Sequence, residues 1–433
     1  MVKKIVVLFI FVFFLTGCVF DSVTSWIQEN SSVLSDDTAD LIVWGLFEED
    51  QNIQPLIDQF ESQNANINIQ YVKKDKEDYI EELNAVLQDN NRNTTPDIFM
   101  IHNSWVGNYS TYTTTAPSSV LSFQDYQSQL HEFVMEDFGK GNSVRAVPLW
   151  VDMLALVYHK NLLLDTGNTS IAKEWNLFLE QAKAMQQEHE TRGMVYGFSA
   201  GRSNNVEFHA EVMDLLFLQA RDTDFSSDDL DVPFKENEID QINEAIVFYR
   251  SFGEVTWSRD QKLDTASFIE GQLASVIIPS WRILDILHFN QEKNLNIDLG
   301  VSEVPQLSTD ASSKVNIASY WGYAVSKDSQ QNIQAWKFLE FLMSKGGQEI
   351  YMQAQSANGR PFAMVSPRKD MVSLQEDDLY IGAYVDSIPY THSWYKINGH
   401  KLKVTYAELL DRTINLENFL ERFNDLKQND NIL

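Results

Sequence analysis

Five tryptophans occupy comparable places along this chain, and what they offer chemically is a flat aromatic face. Trp44 closes the apolar run Leu41-Ile42-Val43-Trp44. Trp105 follows Asp97–Ile101 through His102-Asn103-Ser104. Trp150 comes after Val147-Pro148-Leu149, and Trp281 follows Leu273–Ile278 through Pro279-Ser280. Trp321 opens Trp-Gly-Tyr-Ala-Val after a polar stretch. An indole face suits the apolar face of a pyranose ring, while nearby Asp, Glu, Asn and Arg groups hydrogen-bond its hydroxyls. Tryptophan fills cores as readily. All but Trp321 lie at or just after the end of an apolar segment, which favours one shared site over separate cores.

Catalytic chemistry has less support. Gly197-Phe198-Ser199-Ala200-Gly201 matches G-x-S-x-G and follows the apolar Met194-Val195-Tyr196. A nucleophile elbow needs a strand, a sharp turn and a helix, with an acid and a histidine later in the chain. Asp214, Asp285 and His392 are available, but nothing in their surroundings selects them. So short a pattern recurs by chance. The eight histidines are scattered, with no H-E-x-x-H and no carboxylate loop of EF-hand spacing, so no metal and no cofactor is expected. Paired carboxylates such as Glu48-Glu49 are ordinary on an acidic surface. Glycoside hydrolysis needs two carboxylates about 5–9 Å apart in space, which sequence does not establish.

The elements that must position these side chains alternate. Leu41–Trp44 has the pattern of a short buried strand. Ile53, Ile57 and Phe60 follow at helical spacing, with Pro55 expected in the first turn. Ile67, Ile69 and Tyr71 alternate as in a strand. Ile80, Leu83 and Leu87 mark another helix, and Asp97–Ile101 reads as a third strand. Strands separated by helices of this length imply βαβ units and a parallel sheet. Later, Ile239, Ile242, Ile246 and Tyr249 form a helical stripe, and Leu273–Ile278 is a strand. Trp336, Leu339 and Met343 share a helical face, and Leu416, Phe419, Phe423 and Leu426 make a terminal amphipathic helix.

The chain has 433 residues, more than one core usually organises, so two lobes are expected. Its net charge of −29 opposes binding to nucleic acid and to anionic headgroups. At the N-terminus, Lys3 and Lys4 precede an unbroken apolar run, Ile5–Leu15. That run is shorter than the roughly 20 residues needed to span a bilayer, so it reads as a secretory signal over 1–17. Leu15-Thr16-Gly17-Cys18 resembles the bacterial lipobox, in which the cysteine is acylated and becomes the mature N-terminus. Cys18 is the only cysteine, which leaves no disulfide or thiolate metal site. Residues 18–40 are rich in Ser, Asp, Thr and Asn and read as a flexible spacer from the anchor. The expected product is a soluble monomer on a lipid leash, at the extracytoplasmic face of the cell membrane.

The order of several motifs resembles the maltose-binding-like solute-binding proteins of ABC sugar importers, in lipoprotein form. Leu41-Ile42-Val43-Trp44-Gly45 resembles the family's first strand, and Pro96-Asp97-Ile98-Phe99-Met100 its P-D-hydrophobic strand. Ala146–Asp152 and Leu156-Val157-Tyr158-His159-Lys160 resemble the crossover into the second lobe, with His159 where the family usually has Asn. Ala266–Ala274, Trp321–Ser326, Ala335–Leu339 and Gly359-Arg360-Pro361 continue the match. The resemblance implies an α/β, two-lobed periplasmic-binding-protein fold of the Venus-flytrap kind, each lobe a mainly parallel sheet flanked by helices. It implies lobe 1 over 41–147 and 300–343, and lobe 2 over 148–299 and 344–433. The implied ligand set is Trp44, Glu48, Asn103 and Trp105 from lobe 1, with Trp150, Asp152, Trp281 and Arg360 from lobe 2. Trp321 would reach the cleft from lobe 1. The tryptophans would stack on the sugar, and Glu48, Asn103, Asp152 and Arg360 would bond its hydroxyls; an ion pair or turn contact is the structural alternative for Asp152 and Arg360. The implied partner is a membrane permease. Its ATPase must be another polypeptide, since no Gly-Lys-Ser/Thr phosphate loop occurs here. A phosphorylated polyol or a peptide is the alternative solute, and a surface serine hydrolase using Ser199 is the alternative class.

Overall fold

The computed structural model describes residues 38–428, apart from 90–94, 190–192, 222–233, 235–237, 294, 296, 309, 311–312 and 394–398. The signal, Cys18 and most of the spacer lie outside the described residues. Among those described, no helix is long and apolar enough to cross a membrane.

The first sheet holds β1 (Ala39–Gly45), β2 (Ile67–Lys73), β3 (Ile98–His102) and a late strand, Trp321–Val325, in the order late strand–β3–β1–β2. β1 pairs parallel with β2 and β3. The crossovers are α1 (Asp50–Gln63) and α2 (Tyr79–Gln88), as the spacing of their apolar residues required. The late strand runs antiparallel to β3, pairing Trp321 with His102. Pro55 lies in the second turn of α1, not the first, because the helix already begins at Asp50. A proline there leaves the carbonyl four residues earlier without its helical donor. That carbonyl, on Gln51, accepts a hydrogen bond from Asn358 Nδ2 at 2.9 Å.

The second sheet has β4 (Leu154–His159) between β5 (Ser275–Pro279) and β6 (Leu299–Ser302). Both pairings are antiparallel, so this sheet departs from the parallel arrangement expected for each lobe. The reason is the length of chain between β4 and β5. It holds several helices, among them α3 (His209–Ala220) and α4 (Ile239–Val255), so β5 is free to return against β4. β4 is buried on both faces. Ala155 and Val157 pack with the core that extends from the first sheet, whereas Leu154, Leu156 and Tyr158 pack into a second core. α3, α4, α8 (Gly399–Leu410) and α9 (Leu416–Gln428) contribute to that second core. The remaining helices introduced below are α5 (Ser280–Lys293), α6 (Asn332–Met343) and α7 (Lys345–Ala357).

The chain passes between the sheets more than once. It leaves the first sheet through residues 147–153, with Val147 bridged to Tyr323 and Met153 to Ala318. It returns between β6 and the late strand. Two segments lie near the boundaries expected at 300 and 344. β6 pairs with β4 in the second sheet, and α7 packs on α1 beside the first. A strand edge and an amphipathic helix face chose those neighbours, and neither choice has a local sequence signal.

Candidate functional site

A cleft of about 220 Å³ lies where the two sheets approach, and side chains from both sides line it. Phe47 follows β1, Lys76 follows β2, and His102 ends β3 beside its strand partner Trp321. These are the carboxyl ends of the parallel strands, where an open α/β sheet leaves a crevice. Trp150 and Met153 come from the outgoing crossing, and Ser319 from the return. Pro279 ends β5, Trp281 stands in the first turn of α5, Phe208 precedes α3, and Glu211 is in its first turn.

Three of the five tryptophans therefore meet: Trp150, Trp281 and Trp321. Phe47 packs edge-on against two of them, at 5.9 Å from Trp150 and 5.6 Å from Trp321. Phe208 does the same to Trp281 at 5.9 Å. The Lys76 ammonium stands 5.7 Å from the Phe47 ring and 5.5 Å from that of Trp281, so one cation spans the two sides. Glu211 Oε2 is buried and takes no hydrogen bond among the described residues.

His102 holds the floor. Its Nδ1 accepts from the Ser104 backbone N–H at 3.3 Å, which leaves the ring proton on Nε2 to donate to Ser319 Oγ at 3.1 Å. Burial, then the nearby Lys76 charge, pushes its pKa down to about 3, so the ring is neutral at physiological pH. The lining thus combines flat apolar faces with a cation, a carboxylate, an imidazole and a hydroxyl.

The other expected residues do not line this cleft. Trp105 stands behind Trp321, edge-on at 4.7 Å, and supports it. Trp44 is buried, with the Lys74 ammonium 4.1 Å from its ring centre. Glu48 and Arg360 form an ion pair at 2.9 Å. Glu48 also accepts from Tyr351 Oη at 2.5 Å and Asn52 Nδ2 at 2.9 Å, which locks β1, α1 and α7 together. Asn103 donates to Asp137 at 3.0 Å. Asp152 is fully buried and accepts backbone N–H bonds from Met153 at 2.8 Å, Ser280 at 2.9 Å and Trp281 at 3.3 Å. It caps α5 and thereby sets Trp281 against the crossing strand.

Phe47 and Lys76 had a legible signal that the tryptophan pattern overlooked, since each follows a strand of the parallel sheet. Phe208, Glu211 and Ser319 had none, because the tertiary fold alone brings their loops and helix here.

A family model described as bacterial extracellular solute-binding protein matches residues 55–376. This chain belongs to that family. Solute-binding proteins of solved structure share its fold. The sugar-binding protein MalE from Xanthomonas citri matches with a TM-score of 0.69 at 15% identity, over 90% of this chain and 96% of the other. The cyclic alpha-maltosyl-1,6-maltose binding protein from Arthrobacter globiformis matches with a TM-score of 0.69 at 14% identity, over 91% and 98%. UgpB from Mycobacterium tuberculosis, solved with glycerophosphocholine, matches with a TM-score of 0.64 at 16% identity, over 90% and 97%. Comparison with curated proteins finds no match.

In this solute-binding protein Ser199 has a structural partner. Its hydroxyl is buried and donates to Asp264 at 2.9 Å. The glycines around it serve packing: a Cβ at Gly197 would lie 1.8 Å from the Ala182 carbonyl oxygen. No helix follows the turn before α3, unlike an elbow. Asp214 accepts from Tyr406, Asp285 pairs with Arg282, and His392 sits in a short strand pair with Ile317. The described residues contain no cluster of three or more His, Cys, Asp or Glu fit to hold a metal.

Proposed function

We propose that this binding protein captures a carbohydrate in the aromatic cleft and delivers it to an ABC permease. The reading rests on one observation: indole rings from the crossing strand, from α5 and from the late strand converge on one cavity that also offers Lys76, Glu211, His102 and Ser319. Sugar-binding neighbours of the same fold support it. The ligand set is Trp150, Trp281 and Trp321 for stacking, with Phe47 and Phe208 as their edge-on supports. Trp44, Glu48, Asn103, Trp105, Asp152 and Arg360 hold the walls. The protein binds without turnover.

In this reading lobe 1 holds the first sheet with α1, α2, α6 and α7, and lobe 2 the second sheet with α3, α4, α5, α8 and α9. Acylated Cys18 keeps the monomer at the extracytoplasmic face of the membrane. A Cys18→Ser chain then leaves the membrane fraction; retention there would refute the anchor.

A thermal-shift screen against mono- and oligosaccharides tests the capture. A true ligand raises the melting temperature, because it binds only the folded chain. Trp281→Ala weakens that ligand about tenfold, from a stacking loss of about 0.5–1.5 kcal/mol plus lost area. Unchanged affinity in both Trp150→Ala and Trp281→Ala would remove the stacking assignment.

A further inference from the structure

A second cavity, of about 740 Å³, is lined by none of the cleft residues. It lies among the loop before α3, the C-terminal half of α4 with the residues after it, and the turn between α8 and α9. Four of the chain's twelve arginines line it: Arg202, Arg250, Arg259 and Arg412. The carboxylates in its lining are Asp260 and Asp411. In a protein of net charge −29 such a gathering of cations runs against the composition. Like charges at close range oppose one another. Burial, and then the Arg412 charge, lowers the pKa of Arg250, which Asp411 only partly offsets.

The backbone adds a separate observation. α8 ends in a Schellman turn, in which Arg412 N–H bonds to Leu409 O at 3.1 Å and Thr413 N–H to Glu408 O at 2.9 Å. The left-handed residue of that turn is ordinarily glycine, yet here it is Arg412, with φ of 61°. The fold therefore carries a strained residue where glycine would relax it, and that residue brings a guanidinium to the cavity. Arg202 Nε and Arg250 Nε are buried and meet no acceptor among the described residues. Arg250 and Arg202 are held by their other nitrogens, which donate to Leu409 O and, at 2.7 Å, to Gly253 O.

We propose that this cavity binds a multiply charged oxyanion, phosphate or a phosphate ester, between Arg202, Arg250, Arg259 and Arg412. Guanidinium forks match the oxygens of phosphate two at a time, and an anion there would relieve the mutual repulsion of the cations.

The test is thermal unfolding of the full chain in inorganic phosphate and in chloride at matched ionic strength. Phosphate raises the melting temperature of the wild type and chloride does not. Arg412→Gly melts higher than wild type in phosphate-free buffer, since it relaxes the turn, and loses the phosphate-dependent rise. Arg259→Gln, at an exposed position, weakens phosphate binding several-fold with unchanged stability. Equal effects of phosphate and chloride, or a full phosphate response in both variants, overturn the site. Glycerophosphoglycerol serves as a soluble mimic of a lipid headgroup. A larger rise with it than with phosphate assigns the site to a membrane phosphodiester, and the reverse assigns it to a free oxyanion.

Discussion

Asp152 is the residue whose chemistry differs most from what its position suggested. Its carboxylate, expected either to meet a ligand hydroxyl or to make a structural contact, caps the helix that carries Trp281. Burial pushes its pKa up to about 7, against the opposing pull of its backbone N–H bonds. The unfolded chain releases this proton near pH 4, and the folded chain holds it until about 7. The folded state thus binds more protons across that window, so this group lowers stability as pH rises from about 4 to about 7 and is flat above. Asp152→Asn cannot titrate. Its stability gains on that of the wild type through the same window, by about 1.4 kcal/mol for each step of one in pH. Urea denaturation of both proteins across pH measures this, and parallel stability curves would return Asp152 to an ordinary carboxylate.

At the scale of elements, the Glu48–Arg360 pair ties the loop after β1 to the end of α7. Both are substantially buried, and Glu48 has Tyr351 and Asn52 as further donors. Arg360→Met leaves a buried carboxylate without its cation and destabilises the protein by about 3–5 kcal/mol. Adding Glu48→Gln recovers most of that loss, because the pair itself contributes little net stability once both charges are gone. Chemical denaturation of the two single variants and the double variant checks this, and additive losses would contradict it. Sequence spacing identified α1, α2, α4 and α9, because their apolar stripes are local patterns. It misread the direction of β5 and was silent on the neighbours of β6 and α7, because those are long-range choices made by whichever edge or face remained unpaired.

For the whole molecule, the cleft joins two bodies that share crossing segments, and Lys76 over Trp281 spans the gap at 5.5 Å. A ligand drives such bodies together only as far as it binds the closed form better than the open one. Saturation with a sugar that raises the melting temperature reduces the radius of gyration in small-angle scattering. An unchanged radius on saturation would mean that capture proceeds without hinge motion. The charge of −29 belongs to this scale too, because it makes the arginine-lined cavity stand out against its surroundings.

The sequence by itself determined the class of protein. Apolar periodicity and the order of motifs around Trp44, Asp97, Pro148 and Trp281 are all written within a few residues of one another. It also singled out five tryptophans without dividing those that share a cleft from those that do not, since an aromatic beside an apolar run is a local feature. Only the tertiary structure decided that Trp44 and Trp105 support walls, that Glu48 and Arg360 satisfy each other, and that Phe208 and Glu211 line the cleft. Each of those outcomes depends on which distant group reaches a buried charge or ring first, and that contest is settled by packing across the chain.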